Sequence, residues 1–321
     1  MTGKSLESRS PRMKKALLIT PLAVTLAATL SLRAQVSDNW NDGDDTTGQT
    51  WTHYAPGALG QTFTFPVNPA DSTPAYRLTS FTGTTPNPGR VGSFLMGTPG
   101  IADFTITCDL INWDNTKSMN MGIMARVQSP LPAATFPLGY ALTYTDRASA
   151  GAGGTDQLRL YKVVSGGLGF MNTTTGGSQT NGNLGQFGTA VGGSASPNPT
   201  NDYQLVFSGF GNLFTGQIID KSTGLALMFN DGFGGLTNTL WASDPGAAGF
   251  GASGATLYSS GQYGLFGFVG SGALDPAGSI NTDFTMDNFS IIAIPEPSTV
   301  AFIITGSVVA LRVSYRKRQR A

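Results

Sequence analysis

The fold class predicted by the chain is all-β, an antiparallel β-sandwich, on three observations. Charged residues are only 12% of the 321, and glycine numbers 43, against ~25% and ~7% in an ordinary soluble domain. Glutamate is confined to Glu7 and Glu296 near the two ends, so residues 36–294 lack a main helix-forming residue. Within 36–294 apolar side chains alternate with polar ones, and no stretch repeats with a helical period.

The strands can be read in chain order. Phe63 and Phe65 alternate with threonines, and Phe104, Ile106, Cys108 and Leu110 share one face of the next strand. Met119–Val127 carries Met119, Met121, Ile123, Ala125 and Val127 on one side, opposed by Asn120 and Arg126. The same pattern places strands at Tyr140, Leu142 and Tyr144, at Leu158 and Leu160, and at Tyr203, Leu205 and Phe207. Further strands are expected at Leu213–Asp220, Leu225–Phe229, Tyr263–Val269 and Phe284–Ile292, giving about a dozen. Turn-forming connectors such as Gly176–Gly185 and Gly192–Thr200 separate them. Packing two sheets face to face is the natural way to bury so many half-apolar strands. One sandwich with long loops and two smaller domains both fit the length.

Charge is distributed unevenly. Lys4, Arg9, Arg12, Lys14, Lys15 and Arg33 precede Gln35, and Arg312, Arg316, Lys317, Arg318 and Arg320 close the chain. Between them stand 17 Asp against 8 Lys plus Arg. An acidic domain with basic ends excludes nucleic acid as the expected partner, because phosphate binding needs a basic face. The basic ends fit membrane targeting instead.

Met13-Lys14-Lys15 followed by Ala16–Leu32 has the order of a secretory signal: positive start, apolar stretch, small residues. Cleavage is expected after Ala34, with Met13 as the true start; an uncleaved anchor is the alternative. At the other end come Pro295-Glu296-Pro297, the apolar run Thr299–Leu311, and then Arg312, Arg316, Lys317, Arg318 and Arg320. The run is shorter than the ~20 residues that span a bilayer comfortably, although Arg312 can snorkel and extend it. The positive cluster would stay cytoplasmic and leave the domain outside.

This ending resembles the PEP-CTERM sorting signal over about the last 27 residues. The resemblance implies an exosortase as partner, a membrane-anchored intermediate held by a transmembrane helix, and delivery to the cell surface or extracellular matrix. It also implies a setting of exopolysaccharide production and biofilm. An ordinary C-terminal anchor is the alternative. The expected organisation is therefore a leader over 1–34, an exported domain over 35–294 and a sorting segment over 295–321.

The domain carries weaker likenesses: Asp38-Asn39-Trp40-Asn41-Asp42-Gly43 and Trp51-Thr52-His53-Tyr54 at its start, Gly139-Tyr140-Ala141-Leu142 and Leu158–Val163 inside, and Asp283–Phe289 at its end. Together they resemble the concanavalin A-like and laminin-G-like jelly rolls of exported bacterial proteins. That resemblance implies a fold with paired first and last strands and a carbohydrate-oriented setting, without implying a reaction.

Catalytic patterns are absent from the sequence. His53 is the single histidine and has no Gly-x-Ser-x-Gly nucleophile motif near it. Concanavalin-like glycosidases carry a Glu-x-Asp-x-x-Glu strand, and the domain contains no Glu. An Asp–Asp pair about 5–9.5 Å apart in a cleft is the one glycan-hydrolysing arrangement still open. Cys108 is the single cysteine, so no internal disulfide or cysteine zinc site forms, and its alternation marks it as a core thiol.

No organic cofactor is expected. Calcium is the ion that Asp38, Asp42, Asp44 and Asp287 would hold if the chain ends converge, with Asp45 beside them. Trp40 breaks the EF-hand pattern, and turns built on Asx side chains are the competing reading. Trp51, Tyr54, Trp113 and Trp241 are the candidate sugar platforms, Trp241 the foremost because it precedes the glycine-rich Asp244–Gly254. The expected function is a non-enzymatic, exported surface or matrix protein. A carbohydrate-binding module for exopolysaccharide is the first alternative, and an atypical glycan hydrolase the second.

Overall fold

The computed structural model describes residues 35–294, apart from 55–59, 82–88, 99, 133–135, 148–154, 165–166, 171–184, 189–191, 245, 247–256 and 270–279. The leader and the sorting segment expected from the sequence lie outside the described residues. Among those described, no helix is long and apolar enough to cross a membrane.

Among the described residues, eighteen strands form two antiparallel sheets and a small hairpin. The nine-stranded sheet contains β1 (Gln35–Asp38), β3 (Thr62–Thr64), β4 (Tyr76–Phe81), β6 (Phe104–Trp113), β11 (Tyr203–Phe210), β12 (Leu213–Asp220), β13 (Leu225–Ala226), β16 (Leu240–Ser243) and β18 (Ile280–Ala293). Its main order is β13-β12-β11-β6-β18-β4-β3, with β1 on β18 and β16 on β12. The seven-stranded sheet runs β10 (Gly167–Phe170), β9 (Gln157–Val164), β8 (Gly139–Asp146), β7 (Met119–Val127), β17 (Gln262–Val269), β5 (Arg90–Phe94) and β2 (Thr52–Tyr54). The hairpin is β14 (Phe229–Asn230) with β15 (Leu236–Thr237). Both sheets draw strands from the two ends of 35–294, so the domain is one sandwich rather than two.

The alternation read from the sequence places the core. Ile106, Cys108 and Leu110 of β6, with Leu205 and Phe207 of β11, face Met121 and Ile123 of β7 and Leu142 and Tyr144 of β8 in one apolar cluster. Aromatic rings join the layers: Tyr140 stacks on Phe214 at 4.1 Å between centroids, and Trp113 meets Tyr144 edge-on at 5.5 Å. Two glycines make the close approach possible. A Cβ at Gly216 would lie 2.3 Å from a Leu142 methyl, and one at Gly267 would lie 2.3 Å from the Phe284 ring.

One end of the core holds charge. Lys162 pairs with Asp244 at 2.6 Å, both essentially fully buried, and the Tyr140 hydroxyl donates to the same carboxylate at 2.5 Å. Arg126 donates to the carbonyls of Ala102 and Tyr258, and its guanidinium lies 4.9 Å from the Phe214 ring centroid. Removing one member of such a pair leaves an uncompensated buried charge, the costly outcome.

β18 ties the fold together, pairing with β6, β4 and β1. Its Phe289 packs against Trp51 at 5.2 Å and Tyr263 at 6.2 Å. Phe289→Ala is expected to cost about 3–5 kcal/mol, whereas Trp241→Ala on the exposed face should stay within about 0.5 kcal/mol of wild type. Urea unfolding of the two variants measures both.

Candidate functional site

The four aspartates proposed for calcium do not converge. β1 does pair with β18, but Asp38 accepts from the Trp40 amide at 2.9 Å and from the Trp51 indole at 2.7 Å. Asp42 caps the Asp44 amide, and Asp44 holds Thr46 and Thr47. These are Asx and hydroxyl turns, the competing reading of the same residues. Asp45 accepts from Tyr76 at 2.6 Å and pairs with His53 at 2.5 Å, while the His53 ring stacks on Phe63 at 3.7 Å. Among the described residues, no group of three or more His, Cys, Asp or Glu side chains is placed to hold a metal ion.

Asp287 lies elsewhere, opposite Asp109 across the β18–β6 ladder. Asn68 and the Asn288 amide donate to it, and Gln204, Lys221 and Asn288 donate to Asp109. The two carboxylates are buried, at 1% and 2% exposure, and held by these donors rather than presented in a cleft. Burial first, and then the Asp71 and Asp109 charges, push Asp287 up to about 6 against the lowering effect of its hydrogen bonds. Burial also raises the Cys108 thiol, which fits an inert core residue.

Three of the four candidate aromatics are corrected by burial. Trp51 (4% exposed), Tyr54 (3%) and Trp113 (4%) offer no free ring face. Trp51 is wedged among Trp40, Tyr76 and Phe289, Tyr54 lies beside Phe94 and Phe266, and the Trp113 indole donates to Asp146. Trp241 is the exception at 52% exposed.

The geometry around Trp241 builds a site. β16 is too short for a clear period, but Leu240 and Ala242 enter the core, which turns Trp241 outward. It stands opposite Thr215 of β12, with Leu213 diagonally adjacent and Phe210 paired across from Leu213. Phe210 is 50% exposed and Leu213 42%. Alternation puts all three on the outer face of the nine-stranded sheet, and two strand spacings with a two-residue offset place Trp241 and Phe210 roughly 12 Å apart. The turn between Phe210 and Leu213 requires Gly211, whose φ is 56°.

From this platform an uncharged strip crosses the sheet. Cross-strand neighbours Thr215, Ser208 and Thr105 form one row, and Gln217, Val206, Thr107, Ser290 and Ser37 form the next. All are half-buried or exposed, and Thr105 and Ser208 share a hydrogen bond of 2.9 Å. From β16 to β1 the strip spans five strand spacings, roughly 24 Å. At its far end a groove of about 500 Å³ is lined by Gln35, Ser37, Asn39, Asp42, Gln49 and Asn288, among others. Phe210, Leu213 and the hydroxyl rows escaped the sequence reading; their one local signal is the outward parity of the Phe210-Gly211-Asn212-Leu213 hairpin.

No family model matches the chain, and no curated protein matches it. Among solved structures, the chain is similar to a Bacillus subtilis protein of unknown function with a galectin-like fold, at 10% identity and a TM-score of 0.45, over 80% of this chain and 94% of that one. It is also similar to the carbohydrate-binding module CBM66 of Bacillus subtilis, at 13% identity and a TM-score of 0.41, over 76% and 96%. Basic winged bean lectin with Tn-antigen aligns at 8% identity and a TM-score of 0.43, over 80% and 98%. Function is therefore read from the chain's own side chains.

The raised Asp287 has a sign that can be checked. Ionising it costs more in the folded chain than in the unfolded one, so its favourable contribution is present below pH ~4 and is lost as pH rises through about 6. Between pH 4 and pH 7.5, Asp287→Asn should gain about 1–3 kcal/mol relative to wild type. Denaturation midpoints at the two pH values read the difference.

Proposed function

We propose that the chain is an exported surface or matrix protein that binds extended, uncharged polysaccharide without transforming it. The observation that carries this reading is the exposed Trp241–Leu213–Phe210 platform, continuous with a strip of hydroxyl and amide groups and free of charged side chains. Flat aromatic faces take the apolar face of a sugar ring, and the polar tips beside them take its hydroxyls. A strip roughly 24 Å long that opens at both ends suits a run of sugars within a chain better than a single terminal residue.

A non-catalytic role is supported by the state of the carboxylates. Asp109 and Asp287 face each other but accept hydrogen bonds from Gln204, Lys221, Asn288 and Asn68. The other aspartates near the groove serve turns. The concanavalin-like jelly-roll assignment, export through the 1–34 leader and exosortase sorting through Pro295-Glu296-Pro297 complete the proposal. These rest on the sequence resemblances, with exopolysaccharide as the polymer such a protein would meet.

An array of uncharged glucans and mannans tests the reading. The chain is expected to bind at least one of them, and Trp241→Ala or Phe210→Ala should each weaken binding about tenfold, the equivalent of 1.4 kcal/mol. Neither change should alter the unfolding midpoint. Absence of binding across the array, or full binding by the doubly substituted chain, would reject the platform.

A further inference from the structure

Away from Trp241, the outer face of the nine-stranded sheet encloses a second hollow. Tyr76, Leu78, Phe284 and Met286 enter the core, so Arg77 of β4 and Asp283 and Thr285 of β18 are turned outward. Arg77 stands opposite Thr285, and Thr285 opposite Asn112 of β6. With Pro66, Asp114 and others, these side chains line a cavity of about 310 Å³, at the small end of the roughly 300–1,000 Å³ of ligand pockets. The cavity is open to solvent, since Asn112 is exposed and Pro66, Arg77, Asp114 and Asp283 are half-buried. It is separate from the uncharged strip. Thr105 of the strip lies roughly 20 Å back along β6 from Asn112, with Asp109 and its partners Lys221 and Asn288 between them.

The polar groups of this cavity are held in place without being used up. Asp283 accepts from Arg77 Nε at 2.7 Å and from Nη2 at 2.6 Å, which fixes the guanidinium plane. Nη1 of Arg77 is left with no acceptor among the described residues. Hydrogen bonding to Asp283 raises Arg77 above its ordinary range against the lowering effect of burial, and the Asp114 charge adds to the rise. Thr285 is 7% exposed, and among the described residues neither its hydroxyl nor the Asn112 side-chain amide has a hydrogen-bond partner. Asp114 accepts from the Thr116 amide at 3.0 Å and hydroxyl at 2.6 Å, both through Oδ1, which leaves Oδ2 free. Its own amide donates to the Asp283 carbonyl at 3.1 Å and fixes its position.

We infer that this cavity binds a single neutral sugar residue through two adjacent hydroxyls, one met by Arg77 with a carboxylate and the other by Asn112 with Thr285. A hydroxyl both donates and accepts, so it can take a proton from Arg77 Nη1 while giving its own to Asp283 or Asp114. The amide and hydroxyl of Asn112 and Thr285 offer the neighbouring group the same choice. Charge selects against acids: Asp283 cancels Arg77, and Asp114 leaves the wall net negative, so a uronate or phosphate meets repulsion. Trp113, the aromatic residue of the lining, is 4% exposed, so hydroxyl recognition rather than ring stacking carries the affinity. The inference extends the glycan-binding reading but does not depend on the Trp241 platform. The strip would hold a polymer along its length, and the cavity one residue of a branch or chain end.

Ligand-observed NMR titration of the full chain tests this with the methyl glycosides of glucose, galactose and mannose, beside galacturonate and inorganic phosphate. At least one methyl glycoside should bind saturably, about tenfold more tightly than galacturonate or phosphate. Asn112→Ala removes the amide, and Thr285→Val keeps the volume without the hydroxyl; each should weaken binding about tenfold while circular dichroism stays native. Arg77→Lys keeps the charge but not the planar fork and should weaken it as well. Trp241→Ala should leave glycoside binding intact while it weakens polysaccharide binding, so that failure of the platform and failure of this cavity are distinguishable. Four results would overturn the assignment: no saturable binding of any of the three glycosides by the folded wild type, undiminished binding by a folded chain carrying both Asn112→Ala and Thr285→Val, galacturonate or phosphate binding as an equal, or loss of glycoside binding on Trp241→Ala.

Discussion

Both sheets of this sandwich are completed by β17 and β18, the last two strands among the described residues. β18 runs through the nine-stranded sheet with β6 on one side and β4 and then β1 on the other. β17 does the same in the seven-stranded sheet between β7 and β5. Until these two strands arrive, β4 and β6 have no common neighbour and the aromatic cluster of Trp51, Phe289 and Tyr263 cannot close. Pairings of such long range make folding slow and leave open edges in the incomplete chain. Core, rim and outer face all inherit their positions from this central insertion.

The same insertion sets the candidate site. Because β18 carries β1 on its outer side, Ser290, Ser37 and Gln35 extend the face that begins at Trp241, and the groove forms where β1 and β18 meet. At the other end of the ladder the face becomes charged, with Asp109, Lys221 and Asp287 locked together. The polar face thus has an uncharged strip open to solvent, which meets Asp38 and Asp42 only at the groove, and a charged part used for structure. Separating them is the register of β6 against β18, whose bulge at Asn288 (φ 49°) turns Asp287 toward Asn68 and away from the groove.

Strands with unbroken alternation were legible from sequence. Met119–Val127 and Leu213–Asp220 appear with the bounds that the pattern predicts, since six or more alternating positions leave one register that buries the apolar side. The stretch Leu225–Phe229 splits into β13 and β14, and two-residue strands carry no period to read. β2, β5, β10 and β16 have too few positions to carry a period, and in β4 the buried Ser80 breaks the alternation that Tyr76 and Leu78 begin. Site residues divide likewise. Asp38, Asp42 and Asp44 have the composition of a calcium cluster and the geometry of turns, which composition alone cannot separate. Trp51 and Trp241 look alike in sequence; what distinguishes them is which neighbours enter the core.

All four tryptophans of the chain are described, and Trp241 alone is exposed, with Trp40, Trp51 and Trp113 buried at 4% or less. Acrylamide quenching of tryptophan fluorescence therefore reports on the proposed platform without substitution or label. In the free chain, one class of emission should be readily quenched. With a saturating uncharged polysaccharide that class should become protected and shift to shorter wavelength. Polysaccharide binding, confirmed independently by sedimentation, that leaves Trp241 as quenchable as before would contradict the account.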